Sequence, residues 1–525
     1  MKTFLQRFGA LVLGVLIGFD RWRFRGSKRR LCYPEGVMGF LSYHSVLLKE
    51  FKKPYAKDRT MALCNAIEKP AEAAGIYRYL NNSKVSKEET ALAIAQQHGK
   101  TQGLIAVLGC TEPCQKVEVR KNRQTKKLEV RIEQGKCLHY YHYYLDAEFG
   151  LRYTRLQSWF PFTMHVGLNG RDWLAQQMIK AGIEFVKKDN CFTWIEDFEQ
   201  AQKLMDQQLR TDWEQRLEQV SQHIHPLFSE ICERYPMQYY WTCQDSEWAM
   251  DLVFRRAEQL QRLYPQLVHL GMVSFSSPDV LRFLGKRVSR QGTAFGGFEV
   301  PISSDLKVRP NGVRIKHRYG ANSIKLYDKA YDELGAVLRP EITISRTELF
   351  RVFRPKHGEP DSQLQWRTMR RGIADLHRRA AVSQQALDRY CSALAAVDDT
   401  TTLAQLTAAI ECRVCWKGKS VRALHPFDPD DHALLKVVNR GEFAIHGLRN
   451  RDLQALLYPT PPNSASDRRH RSAAISRKLR LLRAHGLIRK LSHTHRYRVT
   501  DQGRLILNAI LSAHRFTLQQ LTAAA

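Results

Sequence analysis

Three sets of residues in this chain have the types and spacing to do chemistry. The first lies on the string Ser323-Ile-Lys-Leu-Tyr-Asp-Lys329, followed by Leu338-Arg-Pro-Glu341. On neighbouring strands, period-two geometry would put Lys325 and Tyr327 on one sheet face, with Arg339 and Glu341 beside them. A phenol oxygen can attack phosphorus. A carboxylate next to it can hold a divalent cation, Mg2+ or Mn2+, that neutralises the phosphate and lowers the cost of ionising a group of pKa ~10. Lys325 or Arg339 would stabilise the charge that develops. The second set is acidic: Asp20 closes the apolar run Ile17-Gly-Phe19, and Glu112 and Asp146 fall near expected strand ends. Gathered together, such carboxylates can surround catalytic metal ions. The third set is thiol and imidazole. Cys110-x-x-x-Cys114 with Cys137-x-His139 offers ligands for a structural Zn2+, and His142 is the substitute. His223-Ile-His225 has a metal-binding form, but it sits in a helical pattern, where residues two apart diverge. Cys412-x-x-Cys415 lacks a second pair nearby. Each set also has a plain structural reading. Tyr327 would be a hairpin residue, Asp20 a strand end paired with arginines, and the cysteines buried reduced thiols.

Strands and helices must position these groups. Leu11 to Asp20 reads as a buried strand that runs on through Arg21, Trp22, Arg23, Phe24 and Arg25 to a turn at Gly26. Lys2 and Arg7 ahead of Gly9 to Phe19 imitate a signal segment, but the run is short and basic residues follow where a cleavage site should be. Ser86 and Glu89 have capping-box spacing ahead of an apolar helix face. Gly103 to Gly109 reads as a short strand, Lys116 to Glu133 as a hairpin with a basic loop, and Tyr140 to Phe162 as aromatic-rich strands. A helix is expected over Gly170 to Ala181. From Asp197 onward Leu204, Leu209, Trp213, Leu217 and Val220 form a helical stripe. Val313 to His317, Ile324 to Leu326 and Leu338 to Ile344 read as three strands of a meander. The expected architecture is therefore α+β and multidomain. An α/β module would cover 1–195, a helical region 196–300, an antiparallel sheet followed by helices 301–411, a linker 412–429, and a C-terminal module 430–525.

The C-terminal module is the most informative. Asp430 to Arg440, Asn450 to Tyr458 and Asp467 to His485 read as helices, and Gly486 stands where a C-cap would. Ile475, Leu479 and Leu482 share one face of the third helix, and arginines fill much of the rest. Leu487 to Arg489 can pair with Arg496 to Val499, and a last helix starts at Asp501. Leu479, Leu482, Gly486, Leu487, Ile488, Tyr497, Thr500 and Gly503 resemble the L-x-x-L-x-x-x-G-L-I … Y-x-x-T-x-x-G run of MarR-like winged-helix domains. That resemblance covers about a fifth of the chain and implies a third helix in the DNA major groove with a wing beside it. It carries DNA contacts onto Arg468, Arg469, Arg471, Ser476, Arg477 and Arg480, with His493, His495 and Arg496 in the wing. The whole chain is also similar to long bacterial proteins labelled MarR-type regulators on the strength of this tail. Some four hundred residues precede the tail, more than a plain repressor needs.

Residues 323–341 are similar to the YDK … LR-x-E strand pair of rolling-circle replication initiators, which implies Tyr327 as nucleophile. Asp20 at the end of a first strand resembles the arrangement of RNase H-like nucleases. With 82 Lys and Arg against 52 Asp and Glu, a formal charge of +30 over 525 residues points to a polyanion partner. Hydrophobic residues at 43% and charged residues at 26% exclude a mainly disordered chain and a multi-span membrane protein. The 11 scattered cysteines suggest reduced thiols in a cytoplasm. No GxxxxGK loop is present, which argues against a nucleotide-driven motor. The expectation is a bacterial DNA-binding protein of a mobile element or replication initiator, with metal-dependent nicking or strand transfer as its candidate chemistry. The alternatives are a transcriptional regulator without catalysis and an RNA-binding ribonucleoprotein component. DNA is the expected partner, RNA the alternative, a membrane is not expected, and a homodimer is compatible with the reading.

Overall fold

The computed structural model describes residues 1–514 apart from 82–84, 234, 236, 276, 287–299, 310–311, 331–334, 357, 360, 396–401, 441–442, 444–446 and 492–493. The fold is mixed α+β and the chain divides into two compact units, one of Gly14–Val253 with Glu341–Ser383, the other of Met1–Leu13, Phe254–Pro340 and Gln384–Ala525. No helix among the described residues is long and apolar enough to cross a membrane.

The first unit is organised by β1 (Val12–Ser27), β2 (Tyr77–Tyr79), β3 (Gly103–Lys121), β4 (Leu128–Asp146), β5 (Gly150–Gln157), β6 (Met164–Asn169), the small hairpin β7 (Phe185–Lys188) and β8 (Cys191–Ile195), and β9 (Tyr240–Phe254). Apart from that hairpin these form one sheet in the order β9-β1-β6-β5-β4-β3-β2. From β1 to β3 neighbours are antiparallel, and β2 pairs parallel with β3. The apolar N-terminal run is a strand, as its length required. It does not turn at Gly26 but continues to Ser27; a Cβ at Gly26 would lie 2.7 Å from the Trp241 indole, so the glycine serves a close approach rather than a turn. The short strand and hairpin expected between 103 and 133 are parts of two continuous strands of 19 residues each, β3 and β4, joined by a turn where Asn122 Oδ1 accepts from the Gln124 and Thr125 amides. The Lys87–Gln97 helix is capped by Ser86, whose hydroxyl accepts from Glu89 N at 3.3 Å. The Gly170–Ala181 helix starts on Asn169 and ends at Gly182 in the left-handed conformation, φ 70°.

Part of the region read as helical, residues 196–300, is the strand β9. Its alternating Trp241 and Cys243, followed by the buried run Trp248 to Phe254, is a strand pattern that neighbouring helical stripes obscured. On one face of this sheet Trp22 and Phe24 pack against Trp213 of the Trp213–Ile224 helix, with ring centroids 5.0 and 5.5 Å away. The Arg171 guanidinium is fully buried and bonds Asp251 at 2.9 Å, tying the Gly170–Ala181 helix to β9.

The second unit contains β10 (Ile302–Arg309), β11 (Gly312–Tyr319), β12 (Asn322–Ala330) and β13 (Ala336–Ile344), whose last residues, from Glu341, belong to the first unit. The order is β10-β11-β12-β13, in which β11 to β13 are the three strands expected of a meander and β10 is a fourth, outside that expectation. Tyr264 of the Ala257–His269 helix donates its hydroxyl to the Val313 and Leu326 carbonyls, fixing that helix to the sheet.

The C-terminal part of this unit has its own apolar core, including Leu434, Leu435, Leu453, Ile475, Leu479, Leu482, Leu487 and Ile506. Helices Pro429–Val438, Asn450–Leu457 and Ala465–Ala484 are followed by the hairpin Ile488–Lys490 with Tyr497–Val499 and the helix Asp501–Ala513. Leu448 bridges Tyr497 antiparallel, adding a third short segment to that hairpin. The stretch 412–429, read as a linker, carries the hairpin Val414–Trp416 with Lys419–Val421 and adds Val421 and Leu424 to the same core. Arg422 meets Asp431 with both guanidinium nitrogens, at 2.7 and 2.6 Å, which anchors the stretch.

Candidate functional site

Register alone shows one face of the first unit's sheet to be polar, because directly paired residues point to the same side. Across β1 and β6, Arg23 faces Gly167 and Arg25 faces His165. Across β5 and β4, Tyr153 faces Tyr143 and Arg155 faces Tyr141. Gly167 makes room for this arrangement: the Tyr153 ring crosses it, and a Cβ would come within 2.0 Å of that ring. Tyr153 lies 5.9 Å from Tyr141 and 5.7 Å from Tyr143, centroid to centroid. Arg155 donates to His165 Nδ1 at 2.9 Å and pairs with Glu112 at 3.0 Å. At the end of β1, Arg25, with Arg29 just beyond the strand, lines a cleft of about 460 Å3 with Tyr33, Gln115, Tyr240 and Arg371, and the Arg29 guanidinium stacks 3.3 Å over the Tyr240 ring.

Within this unit Asp20, Glu247 and Glu341 converge, one oxygen from each lying within 4.8 Å of the others. Asp20 and Glu341 are only 2% and 3% exposed, and Glu247 is half-buried. Asn190 donates to Asp20 Oδ1 at 2.6 Å and is itself held by Asn169 at 2.8 Å, so β6 and the β7/β8 hairpin orient the carboxylate. Thr343 donates to Glu247 at 3.4 Å, and Arg21 stands 3.9 Å from it. Arg23 pairs with Asp245. Burial alone would lower the Arg21 pKa; Glu247, Asp20, Glu88 and Glu341 reverse the sign and raise it. The donors are all oxygen, the set suited to Mg2+ or Mn2+ rather than to a soft ion.

Two residues taken from separate catalytic arguments, Asp20 and Glu341, thus meet, and the third member is Glu247, which the helical reading of β9 concealed. Glu112 and Asp146, the other expected acids, are engaged elsewhere. Glu112 pairs with Lys87 and Arg155 and accepts from Tyr141 at 2.8 Å; burial raises its pKa, and these three partners outweigh that and lower it. Asp146 pairs with Arg152 at 2.9 Å and caps the amides of Glu148 and Phe149. Tyr327 is half-buried on β12 of the other unit, with Lys329 Nζ 5.5 Å from its ring centroid. Lys325 and Arg339, expected beside Tyr327 to stabilise developing charge, are 7% and 1% exposed. Arginine and lysine this deep serve packing and internal pairing before they serve an incoming phosphate.

Three of the four thiol and imidazole candidates also meet: Cys114, Cys137 and His139. Cys110 faces His139 in register but stays outside that group, and His142, of opposite parity on β4, points to the other sheet face. The Cys114 thiol contacts Cys137 at 3.2 Å, and that contact lowers the Cys114 pKa and raises that of Cys137. Burial, aided by Arg155, lowers His139 to about 4. His223 is exposed and His225 buried, so that pair cannot share an ion, and Cys412 and Cys415 join no ligand group among the described residues.

In the C-terminal part, Ile475, Leu479 and Leu482 bury one face of the Ala465–Ala484 helix. Arg468, Arg469, Arg477 and Arg480 are exposed on it. Arg471 is not available in the same way: it pairs with Asp467 at 2.8 Å and donates to the Thr460 carbonyl at 2.6 Å. Ser476 accepts from Asn450 at 2.9 Å, which orients the helix against Asn450–Leu457. His495 is exposed and Arg496 half-buried, and His493 lies outside the described residues.

No family model matches the chain and no curated protein matches it. Among solved structures, the di-domain ARO/CYC BexL from the BE-7585A biosynthetic pathway is 8% identical, over 55% of this chain and 97% of that one, at a TM-score of 0.14. A likeness that slight carries no argument about fold or activity.

Proposed function

We propose that the protein is a bacterial DNA-binding protein whose C-terminal part reads duplex DNA as a MarR-like winged helix, within a larger chain that acts on nucleic acid in a mobile element or in replication initiation. One observation carries this reading. Four exposed arginines, Arg468, Arg469, Arg477 and Arg480, stand on the third helix of a helix, short strand, helix, helix, hairpin order, with the apolar side of that helix sealed into its own core. A helix so presented can enter a major groove of about 12 Å width, and the hairpin can reach the flanking backbone. The overall charge of +30 suits the same partner.

A second component is metal-dependent phosphodiester chemistry, favoured by the meeting of Asp20, Glu247 and Glu341. These residues would hold Mg2+ or Mn2+, which when bound supplies charge neutralisation at a phosphate and a more acidic water or hydroxyl. The chain's own part is to fix Asp20 through Asn190 and to present Arg21, 60% exposed, beside the acids, where it can pair with a phosphate oxygen. A row of Arg21, Arg23 and Arg25 along β1 would then track the backbone toward the cleft at Arg29 and Arg371.

The test is selection of binding sequences from random duplexes by the full chain, followed by incubation of supercoiled plasmid carrying the selected site with Mg2+ or Mn2+. Selective binding with nicking that vanishes in Asp20→Asn supports both components. Selective binding with intact plasmid reduces the protein to a regulator, and enrichment of RNA over duplex DNA in a competition overturns the DNA reading.

A further inference from the structure

We propose that Cys114, Cys137 and His139 form a three-ligand site for a thiophilic divalent ion, Zn2+ in the first instance, independent of the carboxylate cluster and of the DNA reading. The two sulfurs come from facing strands. Cys114 lies opposite Gly135 and Cys137 opposite Glu112, so the thiols are diagonal neighbours on one sheet face, and His139 shares that face two residues after Cys137. Sγ to Sγ is 3.2 Å and Cys137 Sγ to His139 Nε2 is 4.0 Å. An ion about 2.3 Å from each sulfur and about 2.0 Å from nitrogen in a tetrahedron needs edges of about 3.8 and about 3.5 Å. The observed distances bracket those, and shifts of roughly half an ångström satisfy both.

The imidazole is already turned for the task. Nδ1 lies 3.1 Å from the Cys137 carbonyl, which can only accept, so Nδ1 carries the proton and Nε2 offers its lone pair to the thiol side. Cys114 and His139 are buried and Cys137 is half-buried, so an ion and a fourth ligand from solvent would reach the group at Cys137. Two thiols and an imidazole select zinc over magnesium, the reverse of the preference at Asp20, Glu247 and Glu341. Binding replaces the two thiol protons, which leave to solvent, with two sulfur-to-metal bonds. The ion would pin β3 to β4 below a hairpin tip whose Arg120, Lys121, Arg123, Lys126 and Lys127 are all exposed.

The test uses the reduced, metal-stripped full chain titrated with Co2+ and then Zn2+. Expected are one thiolate-bound Co2+ per chain, read from its absorption in the near ultraviolet whatever the carboxylate cluster takes up, loss of that absorption on adding Zn2+, and Zn2+ protection of Cys114 and Cys137, but not of Cys412 and Cys415, from alkylation mapped by mass spectrometry. Cys137→Ser should weaken Co2+ binding at least about tenfold, while Cys110→Ser leaves it unchanged. The protection experiment needs no variant, so a misfolded mutant does not rescue the idea. Absence of the thiolate band, equal alkylation with and without Zn2+, or a band of undiminished intensity and affinity in both Cys114→Ser and Cys137→Ser overturns the proposal. So does a Cys114–Cys137 disulfide in the protein as isolated that takes up no metal once reduced.

Discussion

Replacing Arg477 and Arg480 together by glutamine should change how DNA affinity depends on salt, and by an amount that can be worked out beforehand. Both side chains are exposed on the helix whose buried face carries Ile475, Leu479 and Leu482, so the double variant removes two cations without touching the core. Each arginine that neutralises a phosphate contributes about 0.9 to the slope of log K against log salt, so the double variant should lose about 1.8. Between about 50 and about 200 mM salt, that difference alters the ratio of wild-type to variant affinity by roughly twelvefold, the deficit being largest at low salt. Fluorescence anisotropy on a selected duplex at five salt concentrations measures it. Arg471→Gln is the internal control. Its guanidinium is held by Asp467 and the Thr460 carbonyl, so its removal should leave the slope where it was. An unchanged slope in the Arg477/Arg480 variant, or an equal loss in Arg471→Gln, would refute the assignment of this helix to the DNA backbone.

Three further outcomes follow from packing and burial in the first unit. Asp251→Asn strands the fully buried Arg171 guanidinium and should cost about 3–5 kcal/mol in urea unfolding, with much of the loss recovered when Arg171 is also replaced by Met. Gly167→Ala drives a Cβ into the Tyr153 ring and should cost about 1–3 kcal/mol, read as a lower melting temperature. His225 is held neutral down to about 3 by burial, with Lys28 nearby, whereas in the unfolded chain it titrates near 6.5. Between those values the unfolded state binds the extra proton, so stability is intact above pH 6.5 and falls by about 1.4 kcal/mol per unit as pH drops. His225→Gln should flatten that part of the stability profile, and a variant whose profile stays parallel to wild type would contradict it.

Local signals were legible wherever the partner of a residue lay close in the chain. Ser86 and Glu89 announced their helix, the helix expected over Gly170 to Ala181 has those bounds, and the three helices and hairpin of the C-terminal part fell within a few residues of the expected bounds. β9 was not legible, because one strand between helical stripes has no local mark beyond Trp241, Cys243 and an apolar run that a buried helix could equally show. Concealing β9 concealed Glu247. The thiol group was only partly legible, since spacing nominates Cys110 and Cys114 alike, and the β3–β4 register decides that the second is the one near Cys137.

The acidic cluster bears on how its two known members should be weighed. Asp20 and Glu341 came from rival arguments, one treating the first strand as the start of a carboxylate centre, the other treating Glu341 as the companion of a tyrosine nucleophile. Their convergence with Glu247 gives a metal ion its ligands under either argument, so what remains to separate them is the nucleophile, water or a phenol. Tyr327→Phe and Asp20→Asn therefore separate them cleanly. A nicking activity that needs Asp20 but survives Tyr327→Phe, and leaves no protein covalently attached to the cut strand, belongs to a carboxylate centre using water or a free hydroxyl. One that needs Tyr327 and leaves a protein–DNA adduct restores the tyrosine to the reaction.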